Sequence, residues 1–359
     1  MATQILTASG TSLFGEPAAF EGGLREVAPR TFAWLQPNGD LGESNAGLVV
    51  GVGESILIDT LWDVRLTRRM LEAMAPETAS APITHVVNTH SDGDHWWGNQ
   101  LLRDARRITS RASAEVMAHE LDAPARFEGF RRLGKALARG SELPLPGAVS
   151  ARMRSFGRYI ARIFEPYDFA EVQATPASES FDGRLELDVG GRHLELIVVG
   201  PAHTPGDLIV WLPEERVVFA ADVAFIGVTP IVWAGPVGNW LRALDTIAAL
   251  DPEVVVPGHG PVCTVAELEP IGRYLRWLEA AARPHFGNGA SPYAAAEAIA
   301  TSLDFRRQVW AGWIARERIV VKCHIFHGEA RGDLSPITPR QRMLLFEQMS
   351  RLADRLRTR

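Results

Sequence analysis

Cysteine is nearly absent. Cys263 and Cys323 are the two in 359 residues, which excludes a disulfide framework and a four-cysteine zinc site and fits a reducing compartment. The opening residues MATQILTASGTSLFG hold no basic region and no apolar region of a secretory signal or anchor, so a cytoplasmic location is the expectation. One apolar stretch, Val217 to Gly235, is interrupted by Asp222 and Pro230. A charge at mid-span is costly in lipid, so buried strands meeting at a functional loop are expected, with no membrane partner. Positive charge is not in excess either: 37 Lys and Arg against 43 Asp and Glu give −6. With no added nucleic-acid module, that balance argues against a nucleic-acid partner. Repeats and low-complexity segments are also missing.

What is present is ordinary globular composition, 46% hydrophobic and 22% charged, at a length that allows a large core. Short β-type runs are expected at Thr31–Leu35, Gly47–Val52, Ser55–Ile58 and Ile83–Asn88. Further runs follow at Arg184–Val189, His193–Val199, Leu208–Leu212, Arg216–Ala220 and Val254–Val256. Helical spacing predicts helices over Val64–Met74, Ala112–His119, Glu267–Ala282, Pro292–Ser302, Ala311–Phe326 and Pro339–Arg357. Hairpin-type strands, then strand–helix alternation, then strands again predict an α/β (α+β) chain of two sheets with helices packed outside them. The chain divides into an extension over 1–22, a catalytic unit over 23–265 and a helical extension over 266–359.

Chemistry concentrates in Asn88-Thr89-His90-Ser91-Asp92-Gly93-Asp94-His95-Trp96-Trp97, directly after a strand. Four potential ligands within six residues suit a first-row divalent metal, since imidazole and carboxylate converge on one point. Three later segments add to it: Gly-Pro-Ala-His203, Ala-Ala-Asp222 and Pro-Gly-His259-Gly. Each polar residue is expected just past the C-terminal end of a core strand, where ligands from separate strands meet.

These four motifs, in this order over about Leu24 to Pro261, resemble the metallo-β-lactamase-fold hydrolase superfamily. The resemblance implies an αββα sandwich with a two-metal site at its rim. One metal would be held by His90, Asp92 and His203, the other by Asp94, His95 and His259, with Asp222 bridging. Asp59 would orient a ligand imidazole. The usual loop of that family is His-x-His-x-Asp-His, and Asp92 stands here in place of its second histidine. Two zinc ions are expected, and the harder carboxylate moves preference toward iron or manganese. Two metals acidify the water between them, and that hydroxide would cleave an ester, thioester or lactone, with Asp94 and Asp222 as catalytic carboxylates. Three alternatives accompany this reading: a polyketide cyclase/thioesterase-like member, a flavodiiron-like iron redox enzyme, and a degenerate ligand-binding member.

Trp96, Trp97, Trp233 and Trp240 flank the ligand motifs and are candidates for an apolar substrate wall. His85 and His193 fall within strand patterns and read as structural. His324 and His327, spaced i, i+3 beside Cys323, lack a third ligand and read as helix packing. Between the ligand groups, a helical insertion over about 123–170 carries a second signal. Residues 126–162 hold nine basic side chains against two acidic, +7 in all, leaving −13 elsewhere. Phe127, Phe130, Leu133 and Leu137, then Met153, Phe156, Ile160, Ile163 and Phe164, mark two amphipathic helices. Their basic faces read first as solvated helix surface, and the functional alternative is a lid or dock for an anionic portion of a small-molecule substrate, such as a coenzyme A or carrier-protein thioester. The helical tail could serve a homo-oligomer.

Overall fold

A computed structural model describes residues 20–37, 42–139 and 147–357. Most of the expected 1–22 extension and most of the PLPG turn of the insertion lie outside the described residues. The first sheet runs β1 (Gly23–Ala28), β2 (Thr31–Leu35), β3 (Ala46–Val50), β4 (Ser55–Ile58), β5 (Ile83–Val87), β6 (Arg106–Ser110) and β7 (Glu179–Phe181), in chain order. Its first four strands pair antiparallel and the rest parallel. The second sheet has the order β12-β11-β10-β9-β8, from β8 (Arg184–Val189), β9 (Arg192–Val198), β10 (Leu208–Leu212), β11 (Val217–Phe225) and β12 (Val254–His259).

Alternation along the strands builds the layers. Successive side chains point to opposite faces. In β2, Ala33 and Leu35 join the core between the sheets, whereas Phe32 and Trp34 face the helices. In β10, Leu208, Val210 and Leu212 point inward and Ile209 and Trp211 outward. Strands buried on both faces read as unbroken apolar runs, which is the pattern visible in LIVWL. The architecture is therefore the expected αββα sandwich. β6 and β7 escape sequence reading because RRITS and ESF are too short and polar to signal a strand.

Helices α1 (Val64–Thr78), α2 (Arg111–His119), α3 (Ala123–Arg139), α4 (Gly147–Ile163) and α5 (Val237–Ala249) follow the strands. α1 starts where the Asp63 carboxylate accepts from Leu66 N at 2.6 Å, and it buries Leu66, Met70 and Met74 at four-residue spacing. α3 and α4 pack closely because Gly134 and Gly157 leave room at the crossing: a Cβ on Gly134 would lie 2.5 Å from Ile160. Leu133, expected on the apolar stripe, is instead exposed.

The tail forms α6 (Glu269–Gly287), α7 (Pro292–Ala300), α8 (Leu303–Arg306), α9 (Ile319–Ala330) and α10 (Pro339–Arg357). The helix expected over Ala311–Phe326 begins only at Ile319. Trp313 is extended and Ala315 sits at φ 56°, a left-handed conformation that ends any helix before it. α10 begins as anticipated, with Thr338 and Gln341 capping each other reciprocally. Side chains of α6, α9 and α10 belong to the same continuous core as the helix-facing side of the sheets. Among the described residues no helix is long and apolar enough to cross a membrane.

Burial pushes the thiols of Cys263 and Cys323 up to about 12, so both are neutral far above pH 7. The thiolate is the reactive form. Iodoacetamide at pH 8 is expected to leave both unmodified in the native protein and to modify both after denaturation; mass spectrometry of the intact chain reads the difference.

Candidate metal centre

The loop after β5 begins with Thr89 and His90 and closes through a short 3₁₀ turn, Gly93–His95. This turns His90, Asp92, Asp94 and His95 toward one point. The indole of Trp96 donates to Ser91 O at 2.9 Å and pins the loop from behind. Asp59, at the end of β4, sits at φ 63°. Its carboxylate accepts from Thr89 N (2.7 Å) and Thr89 Oγ1 (2.7 Å) and faces His95 Nδ1 at 2.8 Å. His95 therefore presents Nε2 to the centre, the orientation anticipated for Asp59 to impose.

Asp222 and His259 are placed differently from the expectation. Neither lies past a strand end. β11 continues through Asp222 to Phe225, with Ala221 at φ 45° and shifted pairing to β12 on either side, and His259 is the last residue of β12. The irregular pairing aims Asp222 at the centre from within a strand. Gly258 makes that possible: a Cβ there would lie 2.0 Å from Asp222 Oδ1 and 2.6 Å from the Ala221 carbonyl carbon. Asn45 holds the same turn, its amide donating to Pro257 O at 2.9 Å and Gly260 O at 2.8 Å. Neither Gly258 nor Asn45 carried a sequence signal for these tasks.

The seven expected ligands converge. Asp222 lies 3.2 Å from the Nε2 atoms of His203 and His259, 3.2 Å from that of His95 and 3.8 Å from that of His90. His203 Nε2 is 3.1 Å from Asp92 Oδ2, and Asp94 Oδ2 is 3.6 Å from His95 and 3.7 Å from His259. Three groups have ligand atoms within 4.8 Å of one another: His90–Asp92–His203, His90–His95–Asp222 and Asp94–His95–His259.

Electrostatics show what such crowding lacks. Burial pulls His203 down, but Asp222 and Asp92 outweigh it and hold the imidazole up at about 9. His95 is likewise held high against burial by Asp222, Asp94 and Asp59, while burial and His95 drive His90 down. Asp222 is pressed well below the carboxylate range by four imidazoles. His90 Nε2, His95 Nε2 and Asp222 Oδ1 are buried with no hydrogen-bond partner among the described residues. Buried polar atoms are normally satisfied. Orphaned imidazole and carboxylate atoms aimed at one another fit divalent cations, which replace the shared protons.

The pocket over this cluster is lined by Asp92, Asp94, His203, Asp222 and His259 together with Trp62, Trp97, Phe127, Phe225, Ile231, Trp233 and Phe346. Of the four expected tryptophans, Trp97 and Trp233 face it. Trp96 and Trp240 do not: the Trp96 indole is turned to Ser91 O, and the Trp240 indole donates to Val223 O at 2.9 Å.

The basic insertion presents a ring to the site. It contributes Phe127 to the pocket, whereas Arg131 and Arg132 bind Glu128, Arg126 binds Asp122 and Arg152 binds Glu347. The pocket's guanidiniums are Arg318 and Arg342, from the tail. Arg342 and Phe346 stand i, i+4 on α10, so one helix face delivers a cation and a ring together. Arg342 lies 4.5 Å over the Trp233 ring. His85 and His193 hold structural contacts, with Thr84 and Arg106 and with Asp188, and the His327 ring packs on Phe286.

Comparison with known proteins places this geometry. The metallo-beta-lactamase superfamily model matches residues 39–259. The alpha subunit of 2,4-dinitroanisole O-demethylase from Nocardioides sp. is 27% identical over 57% of this chain and 48% of its own length. Linear primary-alkylsulfatase from Pseudomonas sp. is 24% identical over 62% of this chain and 42% of its own. The chain thus spans less than half of each of these relatives. A stereoselective inverting sec-alkylsulfatase from Pseudomonas sp. superposes with a TM-score of 0.61, at 18% identity, over 89% of this chain and 52% of that one; this likeness concerns the fold. Because the family model covers more than half of the residues, the chain belongs to the metallo-beta-lactamase superfamily.

Proposed function

We propose that this chain is a metal-dependent hydrolase of an ester-type bond adjoining an aromatic or apolar group. One observation carries the reading: the ligand cluster opens into a pocket walled by Trp62, Trp97, Phe127, Trp233 and Phe346. His90, Asp92 and His203 would hold one cation, Asp94, His95 and His259 the other, with Asp222 between them. Divalent cations, when bound, supply an acidified water and polarise the bond to be cleaved. The chain's own residues do the rest. Asp59 holds His95 in the required tautomer, and the aromatic wall excludes water and orients the apolar part of the substrate. Asp94, a ligand of the second set, stands at the pocket surface, where its carboxylate can orient a water beside the substrate.

Arg318 and Arg342 favour a second reading, in which the substrate also bears an anionic group. Sulfate esters, which carry that charge and are named by one relative, therefore join carboxylic esters, thioesters and lactones as test substrates, and an aryl methyl ether, named by another, is the neutral comparison.

The protein loaded separately with zinc, manganese and iron is expected to hydrolyse at least one of these classes and to lose that activity to a chelator. A visible charge-transfer band with iron and no hydrolysis of any class would overturn the reading in favour of redox chemistry. Trp233→Ala is expected to raise KM about tenfold or more with a smaller change in kcat, since it removes ground-state contacts. Arg342→Ala is expected to raise KM for an aryl sulfate more than for the matching neutral ester.

A further inference from the structure

A lysine lies fully buried in the tail, far in sequence from every ligand. Lys322 is 0% exposed, and its ammonium sits 4.1 Å from the centroid of the Tyr274 ring. Burying a cationic side chain is costly unless a specific partner compensates it. The hydrogen bond of Lys322 goes to a backbone carbonyl, Pro230 O at 2.6 Å.

Pro230 belongs to the segment between β11 and α5 that carries the pocket residues Ile231 and Trp233. Three successive carbonyls of this segment are each held from outside it. Thr229 O accepts from Arg318 Nη1 at 3.4 Å, Pro230 O from Lys322 Nζ, and Ile231 O faces His203 Nδ1 at 2.8 Å. The segment answers by donating Trp233 N to His203 O at 2.9 Å. Arg318 and Lys322 are four residues apart and so lie on one face, directed at the same strip of backbone. The segment is tied at its start too, where Thr229 N donates to Ile314 O at 2.9 Å.

The Ile231 carbonyl decides how His203 is presented. Accepting from Nδ1 leaves Nε2 free to face Asp92 and Asp222, and it sets the rotation of the ring. A carbonyl that sets a ligand must itself be set. Its neighbour is held by Lys322, one peptide unit away.

We propose that Lys322 is a positioning residue for the candidate metal ligand His203, acting through the Pro230 and Ile231 peptide. The tail helix α9 is then a working part of the His90–Asp92–His203 site, on the opposite side of the molecule's sequence from the ligand loop. This inference rests on the metal-dependent reading above. A methionine would fill the volume of Lys322 but could not donate, leaving the Pro230 carbonyl buried without its donor.

The experiment titrates the full chain with Zn²⁺ in competition with a chromophoric chelator. Wild type is expected to bind two ions. Lys322→Met is expected to weaken one of them by about 10–100-fold, the loss usual when a group behind a ligand is removed, and to leave the other unchanged. Its metal-free unfolding temperature is expected to stay within a few degrees of wild type, because the cost of the orphaned Pro230 carbonyl is offset by replacing a buried amine with an apolar side chain of similar volume. Equal weakening of both ions together with a lowered metal-free unfolding temperature would mean a merely structural role and would overturn the proposal, as would unchanged binding at both.

A measurement on wild type alone keeps the test independent of the variant's folding. Coupling is reciprocal, so if Lys322 supports the site, zinc must slow amide exchange of residues 316–326, by at least about tenfold. Protection confined to the ligand loops would refute it. Absence of zinc, manganese and iron binding alike by wild type would instead bring down the metal-dependent reading itself.

Discussion

Replacement of Asp222 by alanine is expected to abolish hydrolysis and to reduce bound metal from two ions per chain to one or none. Asp222 lies within 3.8 Å of all four ligand imidazoles. Its loss removes the one side chain able to reach both candidate cations, and it leaves the positive centre without its central anion. The expected drop in metal affinity exceeds the roughly 10–100-fold that follows removal of groups behind a ligand. Elemental analysis after desalting and a steady-state assay on the best substrate check it together. Retained activity with full metal content would overturn the assignment of Asp222 as a bridging residue.

Gly258→Ala is expected to do almost as much harm without touching any ligand. The new Cβ would meet Asp222 Oδ1 at 2.0 Å, the Ala221 carbonyl carbon at 2.6 Å and Asp222 N at 2.8 Å. Two of these are backbone atoms of paired strands, so they cannot swing away as a flexible side-chain end would. Asp222 must therefore leave its place, or β11 and β12 must separate. We expect a destabilisation of about 1–3 kcal/mol, the usual cost of overpacking, together with loss of at least one metal ion. Gly129→Ala in α3, where a Cβ meets nothing within 4 Å, is the control. It is expected to be stabilising by about 1 kcal/mol through helix propensity. Thermal unfolding and metal content of the pair separate a steric effect at the centre from any general intolerance of alanine.

The parts of the centre that lie close together along the chain were legible in advance. His90, Asp92, Asp94 and His95 occupy one loop, and their spacing keeps them within a short turn of one another. His203, Asp222 and His259 were legible because apolar strands precede them, and a polar residue interrupting such a run has few reasons to be there. Where the expectation slipped, the local backbone was the cause. The left-handed Ala221 lets β11 continue past Asp222, and propensity does not announce that conformation. Trp96 and Trp97 show the same limit. They are adjacent, yet one braces the loop through Ser91 while the other lines the pocket.

Charge was less informative about the pocket than pattern was. The run of arginines over 126–162 is real, but several of them are taken up by nearby acids, and the pocket receives its cations from Arg318 and Arg342. On a helix, an arginine bound for a pocket and an arginine bound for water have the same neighbours in sequence.

Residue order thus determined the layered sandwich and the convergence of the ligand set, because strand alternation and ligand spacing are short-range properties carried by the chain itself. Which cations face the substrate, which tryptophans wall it, why position 258 must be glycine and how Lys322 reaches His203 were decided by packing. Those contacts join segments tens to hundreds of residues apart, and distance of that kind leaves no mark on local sequence.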